Sequence, residues 1–223
     1  MLNIKKLMVG GGKTIIKPYY HKLQRLCKWY RRIGLKCRDF TIISNNCTGG
    51  YVYQYFGVPY CTPTEGLYFT PDDYIKLIQR PEYYFTHEVA LINPQKSALA
   101  KLGKDIHYPV GLIDDIEVYF MHYHNPEEAL SKWYRRASRM NFGKLYFLLT
   151  ETELMKEGHT KLFSDIIERY GKNNGVCLTM SDYHLPHTKY IPDVPRDEQN
   201  GNAAWMPKIV IASIDWKKEI NRL

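Results

Sequence analysis

The residues of this 223-residue chain best suited to chemistry fall in four short stretches. The first is Ser44-Asn45-Asn46-Cys47-Thr48-Gly49-Gly50. It places small polar side chains, two glycines and a thiol between an apolar stretch and a helical one. A cysteine at a helix N-terminus has a lowered pKa, and the backbone N–H groups there can hold a phosphate or an oxyanion. Cys47 is therefore a candidate nucleophile. Ser44, Asn45, Asn46, Thr48, Gly49 and Gly50 are candidate substrate ligands. The same stretch also reads as a tight turn, with Cys47 buried as a small hydrophobe.

The second stretch, Tyr60-Cys61-Thr62-Pro63-Thr64-Glu65-Gly66, offers Thr62 and Thr64 to sugar hydroxyls or phosphate. With Pro59, Pro63 and Gly66 it also makes a rigid turn. The third is Asp114, Asp115 and Glu117. Such carboxylates would hold a divalent metal beside a nucleotide-sugar; Glu117 is also a candidate base. As a turn between two strands, Asp114–Asp115 needs no ligand. In the fourth, His122 and His124 alternate along a strand end. That spacing lets both reach a metal or act as general bases, with His184 and His187 as possible partners. Either of the first two would complete a Cys–His dyad with Cys47. The alternative is a pair of solvated histidines.

These side chains need a scaffold. Phe40–Ile43, Leu67–Phe69, Val110–Ile113, Ile116–His122, Leu145–Leu149, Val176–Met180 and Ile209–Ser213 read as strands. Tyr51–Phe56 reads as a short helix. Thr70 caps a helix over 71–80, with Pro71 first and Asp73 third. Asn125 caps another that runs to about residue 140. Further helices are expected near 160–170, ended by Gly171, and over Lys217–Arg222. Continuous apolar strands separated by helices predict a three-layer α/β fold. The sheet is expected to be mostly parallel or mixed, with helices on both faces. Ligands bind beyond the carboxyl ends of such strands, which puts Ser44–Gly50 first. A long loop is expected over Pro192–Asn202, a length usually kept for function or disorder.

The net charge of +8 is unevenly spread. Residues 1–38 hold 11 Lys and Arg and no Asp or Glu, leaving 20 basic against 23 acidic residues in 39–223. The expected organisation is a basic arm over 1–38 and one α/β domain over 39–223. Within the arm, Tyr19, Leu23, Leu26, Tyr30 and Ile33 form the seam of an amphipathic helix, with Trp29 beside it. Gly10–Gly12 before it read as a tail, since a phosphate loop would need glycine where Leu7 stands. The seam either packs on the protein's own core or lies on an anionic membrane surface. No nucleic-acid partner is expected: no zinc-finger, RRM or helix-turn-helix pattern is present, and the body is acidic.

Composition excludes other classes. At 44% hydrophobic and 24% charged, the chain is neither disordered nor collagen-like. No apolar run approaches the roughly 20 residues of a membrane span. The five cysteines contain no C-x-x-C pair. The odd count and the lack of a secretory h-region point to reduced thiols in the cytoplasm. The basic arm adds a peripheral place at the inner face of the membrane.

Three runs, Asp39–Gly50, Tyr60–Leu67 and Tyr108–Glu117, together resemble a bacterial family known as domain of unknown function 1919. Its members are often labelled exopolysaccharide or capsule biosynthesis proteins. The helix around Glu127–Arg136, with Trp133, Arg135 and Arg136, fits as well. The resemblance covers residues 39–215. Thr48 departs from an aromatic residue common at its position. The resemblance implies an α/β fold and a place in surface-polysaccharide assembly, but no reaction. The expected activity is a transferase binding a sugar-nucleotide, a phosphosugar or a lipid-linked glycan, with a divalent metal as its candidate cofactor. The alternatives are a Cys–His hydrolase or acyltransferase using Cys47, and a non-catalytic binding or scaffold protein.

Overall fold

A computed structural model describes residues 13–171, 174–197 and 203–223, with side chains from residue 23 onward. Its centre is a parallel sheet of four strands in the order β1-β5-β6-β7. These are β1 (Thr41–Ser44), β5 (Leu145–Thr150), β6 (Gly175–Thr179) and β7 (Thr188–Tyr190). The register pairs Thr41 with Leu145 and Phe147 with Gly175. β5 is buried at all six positions of LYFLLT. A parallel strand covered on both faces requires that continuous apolar run. β7 closes the sheet with a short, mostly exposed edge carrying Lys189, a common defence against edge-to-edge pairing.

Alternation along the strands divides the interior into two cores. Ile43, Leu145, Phe147, Leu149 and Cys177 point to one face. There they meet α3 (Pro71–Gln79), through Tyr74 and Ile78, and α7 (Glu157–Tyr170), through Phe163 and Ile167. Ile42, Tyr146, Leu148 and Leu178 point to the other face. That face is covered by α2 (Thr48–Phe56), α8 (Pro207–Ser213) and α9 (Trp216–Ile220). Each large side chain buried this way contributes about 1.5–3 kcal/mol. Tyr74 also ties α3 to the sheet, because its hydroxyl reaches Ile43 O at 2.8 Å and Leu148 O at 3.1 Å.

The connection from β1 to β5 carries a second, antiparallel sheet: β2 (Ala90–Ile92), β3 (Val110–Ile113) and β4 (Ile116–Tyr119). It is joined by α4 (Pro81–Thr86), α5 (Ala98–Lys101) and α6 (Pro126–Ala137). Val118, Phe120 and Trp133 of α6 bring this insertion into the first core. The chain is thus α/β with a parallel and an antiparallel sheet. The strand read at 110–113 and the first part of the one read over Ile116–His122 belong to the small sheet.

Three expectations are corrected. Ile209–Ser213 is not a strand but part of α8. Pro207 supplies a helix start and only Val210 of the run is fully buried; a short apolar run does not distinguish the two forms. Leu67–Phe69 contributes a single bridge, Tyr68 to Tyr119. β4 stops at Tyr119, so the strand alternation assumed for His122 and His124 does not extend to them. The two predicted caps are present: Thr70 accepts from Asp73 N at 3.2 Å, and Asn125 from Glu128 N at 3.0 Å.

The expected N-terminal helix is α1 (Lys13–Arg32). The arm is stitched to the body at its end. Leu35 and Cys37 are buried in the second core, and Lys36 N donates to Asn221 Oδ1 at 2.8 Å. Gly10–Gly12 and part of the Pro192–Asn202 loop lie outside the described residues. No helix among the described residues is long and apolar enough to cross a membrane.

Candidate functional site

The loop after β1 and the loop over 60–66 meet at the carboxyl rim of the parallel sheet. A chain of hydroxyls joins them. Thr62 Oγ1 lies 3.0 Å from Thr64 Oγ1, which lies 3.2 Å from Ser44 Oγ. Asn45 then locks β1 to β5. Its Nδ2 donates to Thr150 O, and its Oδ1 accepts from Thr150 N, both at 3.0 Å. Ser44, Asn45, Thr62, Thr64 and Thr150 are fully buried. Such polar groups must be paired to be tolerated inside, and here they pair with each other.

The expected phosphate cradle is likewise occupied from within. Thr48 N donates to Asn46 Oδ1, Gly49 N to Ser44 Oγ, and Gly50 N to Cys47 O. Asn46 spends its amide on Thr150 Oγ1 at 2.7 Å. Six of the expected substrate ligands, Ser44, Asn45, Asn46, Gly49, Thr62 and Thr64, thus hold the two loops in place through their side chains or backbone. Of the remaining two, Gly50 borders an unsatisfied group and Thr48 lies on the same turn of α2.

That group is Glu65. Its Oε2 is buried without a hydrogen-bond partner among the described residues. Its carboxyl lies against the first turn of α2, where a Cβ on Gly50 would collide with it. Burial pushes the Glu65 carboxyl up to about 7, opposed only by the charge of Arg136. Arg136 does not cap the carboxylate. Its Nη1 donates to Glu65 O and to Tyr123 Oη, both at 2.8 Å, and its guanidinium lies over the Tyr60 ring. Thr48 Oγ1, on the same first turn of α2, is also buried and unpartnered.

Cys47 joins this niche. Its Sγ is 3.8 Å from Tyr51 Oη. Burial raises the thiol, the Tyr51 contact lowers it, and the charge of Glu65 raises it again. Burial likewise raises the Tyr51 hydroxyl, with the Cys47 and Glu65 charges adding to it. A thiol pushed upward is a poor nucleophile at neutral pH. His122 and His124 are both exposed. The backbone N–H of His122 donates to Gly66 O at 3.1 Å. No hydrogen bond joins Cys47 Sγ to a histidine among the described residues.

The acidic stretch is dispersed too. Asp114 takes φ 53° at the β3–β4 turn, a left-handed position that Asp tolerates better than most residues. It accepts from Tyr83 Oη at 2.8 Å. Asp115 accepts from Tyr84 Oη and pairs with Lys76 Nζ at 2.7 Å. Glu117 turns away to Ala98 N at 2.9 Å and to the Tyr119 hydroxyl. Each carboxylate has a protein partner, and no group of three His, Cys, Asp or Glu fit to hold a metal occurs among the described residues.

A cleft of about 350 Å³ opens between the end of β5 and the small sheet, and neither Glu65 nor Gly50 is among its lining residues. Tyr68, Tyr108, Lys104, Thr152 and Glu153 are among its walls. Its volume lies in the range of small-molecule sites. Glu65 and Arg136 stand within the recognised motifs, but their local sequence assigns neither a role. The available signal was a lone acid in a Thr/Pro/Gly loop and a glycine pair on the facing helix.

A family profile described as "Domain of unknown function (DUF1919)" matches residues 20–218. The chain is also similar to a protein of Haemophilus influenzae (strain ATCC 51907 / DSM 11121 / KW20 / Rd), named "Uncharacterized protein". The two are 29% identical over 189 residues, which cover 82% of this chain and 85% of that protein.

Proposed function

The chain belongs to the DUF1919 family, and from that premise we propose an enzyme of surface-polysaccharide assembly in which Glu65 is the general acid–base. The observation that carries this is the buried, unpartnered Oε2 of Glu65, seated against Gly50. A protein rarely keeps an unpaired polar atom inside without a use for it. With its pKa raised to about 7, Glu65 can give a proton to a leaving oxygen and then take one from an acceptor hydroxyl. The polysaccharide setting rests on the motif resemblance. The cleft lined by Tyr68 and Tyr108 is sized for a sugar, its two tyrosines suit ring stacking, and Tyr68 follows Glu65 closely in the chain.

A panel of nucleotide-sugars and phosphosugars, with and without Mg²⁺ or Mn²⁺, tests this by thermal shift on wild type and Glu65→Gln. The expected result is a shift with at least one sugar ligand in both proteins, with turnover of that ligand lost in the variant. No shift with any ligand refutes the reading. A second reading, a binding protein without chemistry, draws on the complete burial of Ser44, Asn45, Thr62 and Thr64. It is distinguished by ligand binding without turnover in wild type.

A further inference from the structure

We infer that α1 docks the protein on an anionic lipid surface. The inference is independent of Glu65 and rests on how α1 is attached to the body. Near its C-terminal end, Lys28, Arg31 and Arg32 face the body. Arg32 Nη1 donates to Phe56 O and Gly57 O, both at 3.0 Å, at the C-terminus of α2. Arg31 Nη1 donates to Tyr55 O at 3.3 Å and lies over the Tyr55 ring. Cations at a helix C-terminus complement its dipole. Lys28 packs against Gly57 on the same side. This leaves the apolar side turned out. Leu23, Leu26, Trp29, Tyr30 and Ile33 are all exposed, from 50% at Ile33 to 72% at Tyr30. From Leu23 to Ile33, the described part of the seam, the apolar side chains do not pack on the protein's own core.

Five large apolar side chains on one helix face form a patch that usually marks an interaction surface. Charge decides what covers it. Residues 1–38 carry 11 Lys and Arg and no acid. A second copy of α1 would bring like charges together. A nucleic acid would match the charge but would leave Leu26 and Ile33 in water. An anionic bilayer satisfies both, taking the apolar seam into its headgroup boundary while exposed Arg25 and Lys36 meet lipid phosphates.

The test uses full-length protein and two sets of vesicles, pure phosphatidylcholine and phosphatidylcholine with about one third phosphatidylglycerol. The protein is expected to sediment with the anionic set only. Binding should fall about tenfold when salt rises from about 0.1 M to about 0.5 M. Leu26→Ser combined with Trp29→Ser should reduce binding about tenfold. Both sites are exposed, and an unchanged circular dichroism spectrum and melting temperature would show that the fold is kept. Arg25→Gln combined with Lys36→Gln should weaken binding to the anionic set and flatten its salt dependence. Sedimentation of the seam variant equal to wild type overturns the inference, as does equal binding to neutral vesicles. A dimer that the seam substitutions dissociate, in a protein that ignores vesicles, assigns the face to self-association. Preferential binding to duplex DNA, unaffected by the seam substitutions, assigns the charge to nucleic acid.

Discussion

Replacing Glu65 by Gln isolates the cost of one buried carboxylate. The side chain keeps its shape and loses its ionisation. In the folded protein burial holds the carboxyl at about 7, against an ordinary value of 4.5. Between those two values the folded state keeps a proton that the unfolded chain has released. Stability therefore falls as pH rises from 4.5 toward 7 and levels off above it. A shift of this size corresponds to at most about 3 kcal/mol at 1.36 kcal/mol per pH unit. Because Glu65 is partly exposed, about 1–3 kcal/mol is the expected range. Urea unfolding of both proteins at several values between pH 5 and 8 measures it. At pH 5 the two should differ little. By pH 8 the variant should have gained about 1–3 kcal/mol relative to wild type. Asp73, pushed up to about 6 by burial, titrates in both proteins, so its contribution cancels in the difference. A difference between the two proteins that stays flat across the range would refute the claim that Glu65 is charged only at a cost.

Three further outcomes follow from the same geometry. Gly50→Ala places a methyl against the Glu65 carboxylate and should cost about 1–3 kcal/mol; in a Glu65→Ala background most of that cost should vanish, and equal costs in the two backgrounds would show that the pair does not touch. Asn45→Ala removes three hydrogen bonds to Thr150 and leaves buried backbone groups unpaired, so urea unfolding should show a loss of about 2–4 kcal/mol. Cys47, raised by burial, should react with iodoacetamide far more slowly than exposed Cys27 at neutral pH, as read by peptide mass spectrometry. Rapid, selective labelling of Cys47 would revive the nucleophile reading.

Much of the scaffold was legible because its causes are local. Thr70-Pro71 and Asn125-Pro126 announce helix starts through bonds that span three residues. LYFLLT announces a central strand because both of its faces must be apolar. Where a run fits two geometries, sequence fails. Ile209–Ser213 is apolar and partly β-branched, yet it lies as a helix on α2. Within the candidate site, Ser44, Asn45, Thr62 and Thr64 were recognised by type, but their partners lie up to 105 residues away. Asp114, Asp115 and Glu117 are adjacent in sequence and point to different partners in space.

The order of residues alone determined an α/β chain, a basic amphipathic helix at one end and two polar loops to be gathered at a sheet rim. Periodicity, capping and charge act over a few residues and can be read along a line. Tertiary structure decided which polar groups are left over once the loops lock together. Ser44 and Asn45 are consumed by the lock, whereas Glu65 is buried against Gly50 with one oxygen unpaired among the described residues. It also decided that α1 spends Arg31 and Arg32 on the end of α2 and turns its apolar face outward. Satisfaction of a hydrogen bond and exposure of a face are properties of neighbours in space, and a chain read in order contains neither.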